Sequence, residues 1–158
     1  MSDSFSVLIA SKNDHQALLV ALESVQQDPL FNPFQLSWTS ESFLAELKIA
    51  ETLICKNQTQ EVLSFLSYRK SQFEIEIMVL ATLPQYRNQG LQQKLLKQLL
   101  RSADHEKLEV WLEVHEKNSP AIELYKKNNF SQQGLRTRYY KDGADALLMK
   151  WSKTSFDK

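Results

Sequence analysis

At 158 residues, 42% of them apolar and 24% charged, the chain is long enough for one hydrophobic core and has ordinary globular composition, which excludes disordered and fibrous classes. Nineteen Lys and Arg balance nineteen Asp and Glu, so the basic excess of a polynucleotide binder is missing and direct nucleic-acid binding is not expected. No apolar run approaches the roughly 20 residues that span a bilayer, and Met1-Ser2-Asp3-Ser4 lacks the basic start of a signal peptide, so a cytoplasmic protein with no membrane partner is expected.

No repeat or linker divides the chain, and one domain over residues 1–158 is expected, its core at 3–152 followed by a short tail. Phe5, Val7 and Ile9 alternate as a first strand. Asp14 is placed to cap a helix whose Leu18, Leu22 and Val25 share a face. Asp28–Ser37, with Pro29, Pro33 and four apolar residues, reads as an irregular loop on the substrate side. Thr39 or Ser40 then caps a short helix through Phe43, Leu44 and Leu47.

Strands are expected at Thr52–Lys56, Glu61–Arg69 and Phe73–Thr82, the last with Phe73, Ile75, Ile77 and Val79 on one buried face. A helix at Leu91–Ser102, a strand at Leu108–Val114 and a helix at Pro120–Lys127 follow. Two further strands are expected around Lys141-Asp142-Gly143, an Asp-Gly hairpin signal. Interleaved helices and strands with hairpins at both ends predict a mixed α/β (α+β) sheet rather than a purely parallel one. Cys55 beside Leu53 and Ile54 reads as core packing. His15, His105 and His115 are scattered with no paired spacing, so no metal is expected, and His115 reads as an exposed loop histidine and only a secondary base candidate.

The chemistry concentrates in two segments. In the first, Pro84 breaks a strand, and Arg87-Asn88-Gln89-Gly90-Leu91-Gln92-Gln93 opens a helix with Leu91, Leu95 and Leu99 on one stripe. A helix start presents unpaired N–H groups and the positive end of the macrodipole, which suits an anion. Neither the Walker pattern nor the three-glycine dinucleotide fingerprint is present. On residues alone the segment reads equally as an ordinary turn with Arg87 solvated.

In the second segment Glu109, Trp111 and Glu113 share the strand face opposite Val110, Leu112 and Val114. Asn118-Ser119-Pro120 then opens a helix carrying Ala121, Leu124 and Tyr125, with Ser119 a candidate N-cap. By residue type alone, Glu113 reads as a solvated strand glutamate, Tyr125 as a packing aromatic and Asn118 as a cap.

Arg87-x-x-Gly90-x-Gln92 resembles the pyrophosphate loop of the GNAT superfamily of N-acetyltransferases, with Gln92 at a place where that family prefers a small residue. Asn118-x-x-Ala121-x-x-Leu124-Tyr125-x-x-x-Asn129-Phe130 resembles its second signature, with Asn129 in place of a glycine, a mild exchange because Asn tolerates the left-handed conformation. Trp111-Leu112-Glu113-Val114, this signature and Arg138-Tyr139-Tyr140 are together similar to RimI-type ribosomal-protein alanine N-acetyltransferases, over residues 74–150. Upstream, only Trp38-Thr39-x-x-x-Phe43 shares a subfamily element.

The resemblance implies a mostly antiparallel central sheet flanked by helices, with a cofactor cleft between the central strands, and acetyl-CoA as co-substrate. It implies Glu113 as general base and Tyr125 as general acid. Leu80, Ala81, Thr82, Arg87, Asn88, Gln89, Gly90, Leu91, Gln92, Gln93 and Asn118 would hold the cofactor; Trp38, Tyr139 and Tyr140 would line the acceptor side. The implied acceptor is the N-terminal amine of a protein or peptide, a small-subunit ribosomal protein in that subfamily. A small amine or another peptide as acceptor, or a noncatalytic CoA-binding module, are the alternatives.

Overall fold

The computed structural model describes residues 4–29 and 38–153, so most of the loop expected over Asp28–Ser37 lies outside the described residues. The elements in order are β1 (Ser6–Ile9), a 3-10 turn (Lys12–Asp14), α1 (His15–Gln26), α2 (Ser40–Ile49), β2 (Glu51–Lys56), β3 (Val62–Lys70) and β4 (Glu74–Thr82). A second 3-10 turn (Pro84–Tyr86), α3 (Leu91–Glu106), β5 (Glu109–His115), α4 (Ser119–Lys127), β6 (Phe130–Arg136) and β7 (Ala146–Trp151) follow. The strands form one sheet in the order β1-β2-β3-β4-β5-β7-β6, antiparallel except between β4 and β5.

Two apolar clusters cover the two faces. Leu18, Leu22 and Val25 of α1 and Phe43 and Leu47 of α2 pack with Ile54, Phe65 and Val79 on one side. Leu91, Leu95, Leu96 and Leu99 of α3 and Tyr125 of α4 pack with Leu66, Ile75, Val110 and Leu112 on the other. Each leucine so buried contributes roughly 1.5–3 kcal/mol, which fixes α3 on the sheet and with it the position of its first turn.

Thr39 caps α2 as expected, its hydroxyl accepting from Ser42 N–H at 3.0 Å. Asp14 stands at the N-cap position of α1, but its side chain makes no capping hydrogen bond to that helix. Its carboxylate accepts from Ser11 N–H at 2.8 Å and pairs with Lys56 of β2, tying the chain's first turn to the sheet.

β4 departs from simple alternation. Its register with β3 runs Ser67 to Val79 and then Tyr68 to Ile77, leaving Met78 as the extra residue of a bulge. Ile75 and Ile77 therefore face α3 and α4, whereas Val79 and Ala81 face α1 and α2. This corrects the expectation that Ile75, Ile77 and Val79 share one face. The parallel pairing of β4 with β5 covers only Glu74–Ile77 against Glu109–Leu112. Beyond the bulge, Met78–Thr82 and Glu113–His115 run on without pairing to each other, which opens the cleft in the middle of the sheet.

The Asp142-Gly143 pair is not a two-residue hairpin turn. It sits inside the longer β6–β7 connection, where Gly143 (φ +82°) allows Tyr140 N–H to reach Ala144 O and Gly143 N–H to reach Tyr140 O. Asn129 does adopt the left-handed conformation expected of it, with φ +69°.

Candidate active site

α3 begins at Gly90, whose φ of +74° turns the chain from the 3-10 segment into the helix. The first helical bond of this turn runs from Lys94 N–H to Gly90 O, so the N–H groups of Leu91, Gln92 and Gln93 have no acceptor within the helix. The space where a Gly90 Cβ would project is open to 4 Å. Asn88, also left-handed at φ +61°, and Gln89 are exposed beside it. Immediately upstream, Leu80, Ala81 and Thr82 lie past the bulge, where every second backbone unit turns away from β3 toward the unpaired side of the cleft. The Thr82 hydroxyl is taken by Ser64 at 2.8 Å, leaving that residue's backbone for any ligand.

Two residues of this loop carry partners that the sequence did not announce. Arg87 is ion-paired with Asp28 at the end of α1. Gln93 exchanges two hydrogen bonds with Asn128, Nε2 to Oδ1 at 2.7 Å and Nδ2 to Oε1 at 2.8 Å, and so bridges the start of α3 to the end of α4. Asn118, not Ser119, is the N-cap of α4, accepting from Ala121 N–H at 3.3 Å.

On the other side of the cleft, Glu113 projects from β5 toward the α1/α2 face, its side chain 17% exposed and paired with Arg136 Nε at 2.7 Å. The Tyr139 ring lies under the Arg136 guanidinium, 5.6 Å from its centroid, and so stands beside the same carboxylate. The Glu113 charge, then partial burial, hold the Tyr139 phenol above the usual range. Tyr140 is pushed up to about 12 by burial first and then by the charges of Glu113, Tyr139 and Asp142.

Tyr125 lies against Phe130, ring centroids 5.5 Å apart, with 7% of its surface exposed. Burial and then Tyr140 push its phenol well above the usual range, so it stays protonated. No group among the described residues hydrogen-bonds its hydroxyl. Tyr140 thus lies within electrostatic reach of both Glu113 and Tyr125, and the candidate base and candidate acid share one neighbour across the cleft.

His115 is not an exposed loop residue. It is 2% exposed, with Nε2 2.8 Å from Asp142 Oδ2 and Nδ1 accepting from Lys117 N–H at 3.1 Å. Trp38 stands on the α1/α2 face, but its ring packs edge-on against Phe43 at 5.9 Å rather than against Tyr139 or Tyr140. Among the described residues, no cluster of three or more His, Cys, Asp or Glu is placed to hold a metal, and no helix is long and apolar enough to cross a membrane.

Arg136 and Asp142, which contact Glu113 and His115, were not identified as site residues from sequence; Asp142 was read only as part of a hairpin turn. Arg136 stands one turn-residue from the Arg138-Tyr139-Tyr140 run, but nothing in its spacing marks its partner.

Residues 19–130, which contain the bulged β4, the α3 turn and the second signature, match the acetyltransferase (GNAT) family. The chain belongs to that family. The GNAT chain is 32% identical over 123 residues to the putative [ribosomal protein bS18]-alanine N-acetyltransferase of Bacillus subtilis, a match covering 73% of this chain and 80% of that protein. It is 40% identical over 75 residues to an N-alpha-acetyltransferase of Saccharolobus solfataricus, covering 46% of this chain and 45% of the other. The matched region spans about half the length of several such relatives. In fold the GNAT chain resembles the crystal structure of the ribosomal-protein-S18-alanine N-acetyltransferase from Escherichia coli, with a TM-score of 0.81, 21% identity and coverage of 98% and 100%.

Proposed function

We propose that the protein transfers the acetyl group of acetyl-CoA to the α-amino group of a protein N-terminus, with Glu113 as general base and Tyr125 as general acid. The observation that carries this reading is the pairing of opposite chemistries at one cleft: a carboxylate on β5 held by Arg136, and a buried phenol on α4 that burial keeps protonated, with Tyr140 within electrostatic reach of both.

The residues present fit the cofactor. Unpaired N–H groups of Leu91, Gln92 and Gln93, with Gly90 leaving open space beside them, suit a pyrophosphate. The outward backbone groups of Leu80 and Thr82, on either side of Ala81, suit the amides of a pantetheine arm, the exposed Asn88 and Gln89 adjoin Gly90, and Asn118 is assigned to the cofactor by the family resemblance. When bound, acetyl-CoA supplies a thioester carbon that accepts the amine nitrogen as its bond to sulfur breaks.

The chain's own groups then move the protons. An α-amino group has a pKa of about 7.7–8.0, so a carboxylate base removes its proton at modest cost near neutral pH. Glu113 takes that proton, with Arg136 fixing its carboxylate through Oε1. Tyr125 Oη holds the proton that a departing sulfur needs. Tyr139 and Tyr140 line the acceptor side, where Trp38 stands further back on the same face.

The α-amine of a ribosomal protein that begins with alanine is the proposed acceptor, and the cytoplasm the proposed location. Incubation with acetyl-CoA and three acceptors tests this: a peptide beginning with Ala, the same peptide with its α-amine blocked, and a polyamine. Turnover of the free peptide alone is expected; turnover of the polyamine alone would make the protein a small-amine acetyltransferase, and binding of acetyl-CoA without turnover would make it a noncatalytic module.

A further inference from the structure

We propose that His115 and Asp142 form a latch that positions Tyr139 and Tyr140 beside Glu113 for acceptor binding, a role that rests on the acetyltransferase reading above. His115 Nδ1 accepts from Lys117 N–H, which places the ring proton on Nε2 and lets it donate to Asp142 Oδ2 at 2.8 Å. Both ring nitrogens are therefore engaged, and His115 has no lone pair left to serve as a base for the acceptor.

The latch reaches Glu113 through a short chain of contacts. Asp142 Oδ1 accepts from Ala144 N–H at 3.0 Å, closing the turn around Gly143. The Tyr140 ring lies on the His115 ring, centroids 4.6 Å apart and planes inclined by 34°. Tyr139 stands perpendicular to Tyr140 at 5.2 Å, and Arg136, 5.6 Å from the Tyr139 ring centroid, carries the chain of contacts on to Glu113 at 2.7 Å. A second tie backs the first: Glu116 Oε1 accepts from Asp145 N–H, and Glu116 N–H donates to Asp145 O, both at 3.0 Å.

His115, the last residue of β5, and Glu116 after it thus hold residues 142–145 of the β6–β7 connection. A buried histidine needs its polar atoms satisfied, but packing alone would not require its partner to sit on the tyrosine-bearing loop. The connection is otherwise exposed, and among the described residues the ring contacts of Tyr139 are with Tyr140 and Arg136.

Asp142→Ala tests the latch, since it removes the acceptor of the buried His115 Nε2–H from a surface position without taking a packed side chain from the core, and thermal melting checks that the fold is kept. The acceptor KM is expected to rise on the order of tenfold, the equivalent of one charge-assisted hydrogen bond. kcat should change less, the Kd for acetyl-CoA measured by calorimetry should not change, and amide exchange should accelerate over residues 137–145 while α3 keeps its protection. Asp142→Asn should behave similarly, because one amide cannot accept from both His115 and Ala144. His115→Phe combined with Asp142→Ala should cost no more acceptor affinity than either change alone. A loss confined to kcat, an equal loss toward both substrates, or unchanged exchange over 137–145 would overturn the latch. If the wild-type protein acetylates no amine, the acetyltransferase reading falls, and the exchange measurement alone decides whether the latch exists.

Discussion

Arg136 Nε lies 2.7 Å from Glu113 Oε1, so the carboxylate proposed as the base meets its acceptor already ion-paired. The guanidinium side is 58% exposed, which places the pair among surface ion pairs worth about 0–1 kcal/mol to folding. Arg136→Ala should therefore leave the unfolding free energy within about 1 kcal/mol of wild type. It should lower kcat/KM for the acceptor by on the order of tenfold, because the carboxylate loses the partner that fixes its rotamer, whereas Glu113→Gln should lower it by roughly 10²–10⁴. Steady-state rates on the two variants check this, and a larger loss for Arg136→Ala than for Glu113→Gln would reverse their roles.

Tyr125→Phe removes a buried hydroxyl that no described group hydrogen-bonds. Stability should change little, since the change leaves no partner orphaned. kcat should fall by roughly 10²-fold, the lower end of general acid–base effects. Thermal melting and single-turnover rates separate the two; full kcat with normal melting would remove Tyr125 from the chemistry.

Stability should fall above about pH 10. Burial is the first cause holding the Tyr68, Tyr125 and Tyr140 phenols above their ordinary range, Tyr140 to about 12. The unfolded chain releases these protons near pH 10, so above that it binds fewer protons than the folded chain, and unfolding becomes more favourable as pH rises. Urea unfolding at successive pH values should show a constant free energy below that point and a decline above it. Tyr140→Phe should flatten part of the decline, and a free energy that holds level to about pH 11 would contradict the assignment.

At the α3 turn, Gly90→Ala should cost about 1 kcal/mol, through backbone strain at φ +74° and not through crowding, because a Cβ there meets nothing within 4 Å. Gln92→Ala should act in the other direction on the ligand. It trims a half-buried side chain at the anion-facing turn to the small residue that the GNAT pyrophosphate loop prefers, and should tighten acetyl-CoA binding severalfold by calorimetry. Weaker binding in that variant would show that the Gln92 side chain itself contributes to the site.

Much of this was legible in the sequence because it is local. The α3 stripe, the Thr39 cap, the left-handed Asn129 and the alternation that puts Glu113 opposite Val110, Leu112 and Val114 all follow from spacing within one element. The second half of β4 was not legible. An unbroken alternation of apolar residues hides the bulge at Met78, which moves Val79 and Ala81 to the opposite face from Ile75 and Ile77 without changing the pattern of burial.

The remaining errors concern partners distant in sequence. His115 looked exposed because it follows a strand end, yet Asp142, 27 positions away, supplies the partner that lets it be buried. Arg87 looked free for a phosphate, yet Asp28 holds it. Asp14 looked like a cap, yet Lys56 across the sheet claims its carboxylate. Spacing carries no information on such pairs.

The most direct test of the account is the initial rate of acetyl transfer to a peptide beginning with alanine, compared between wild type and Glu113→Gln, with the product located by tandem mass spectrometry. The account predicts a single acetyl group on the α-amine, formed by the wild type and at a rate roughly 10²–10⁴ lower by the variant, with partial recovery as pH rises and the free amine becomes abundant. Acetylation of a lysine side chain instead of the α-amine, or equal rates for the two proteins across that pH range, would contradict it.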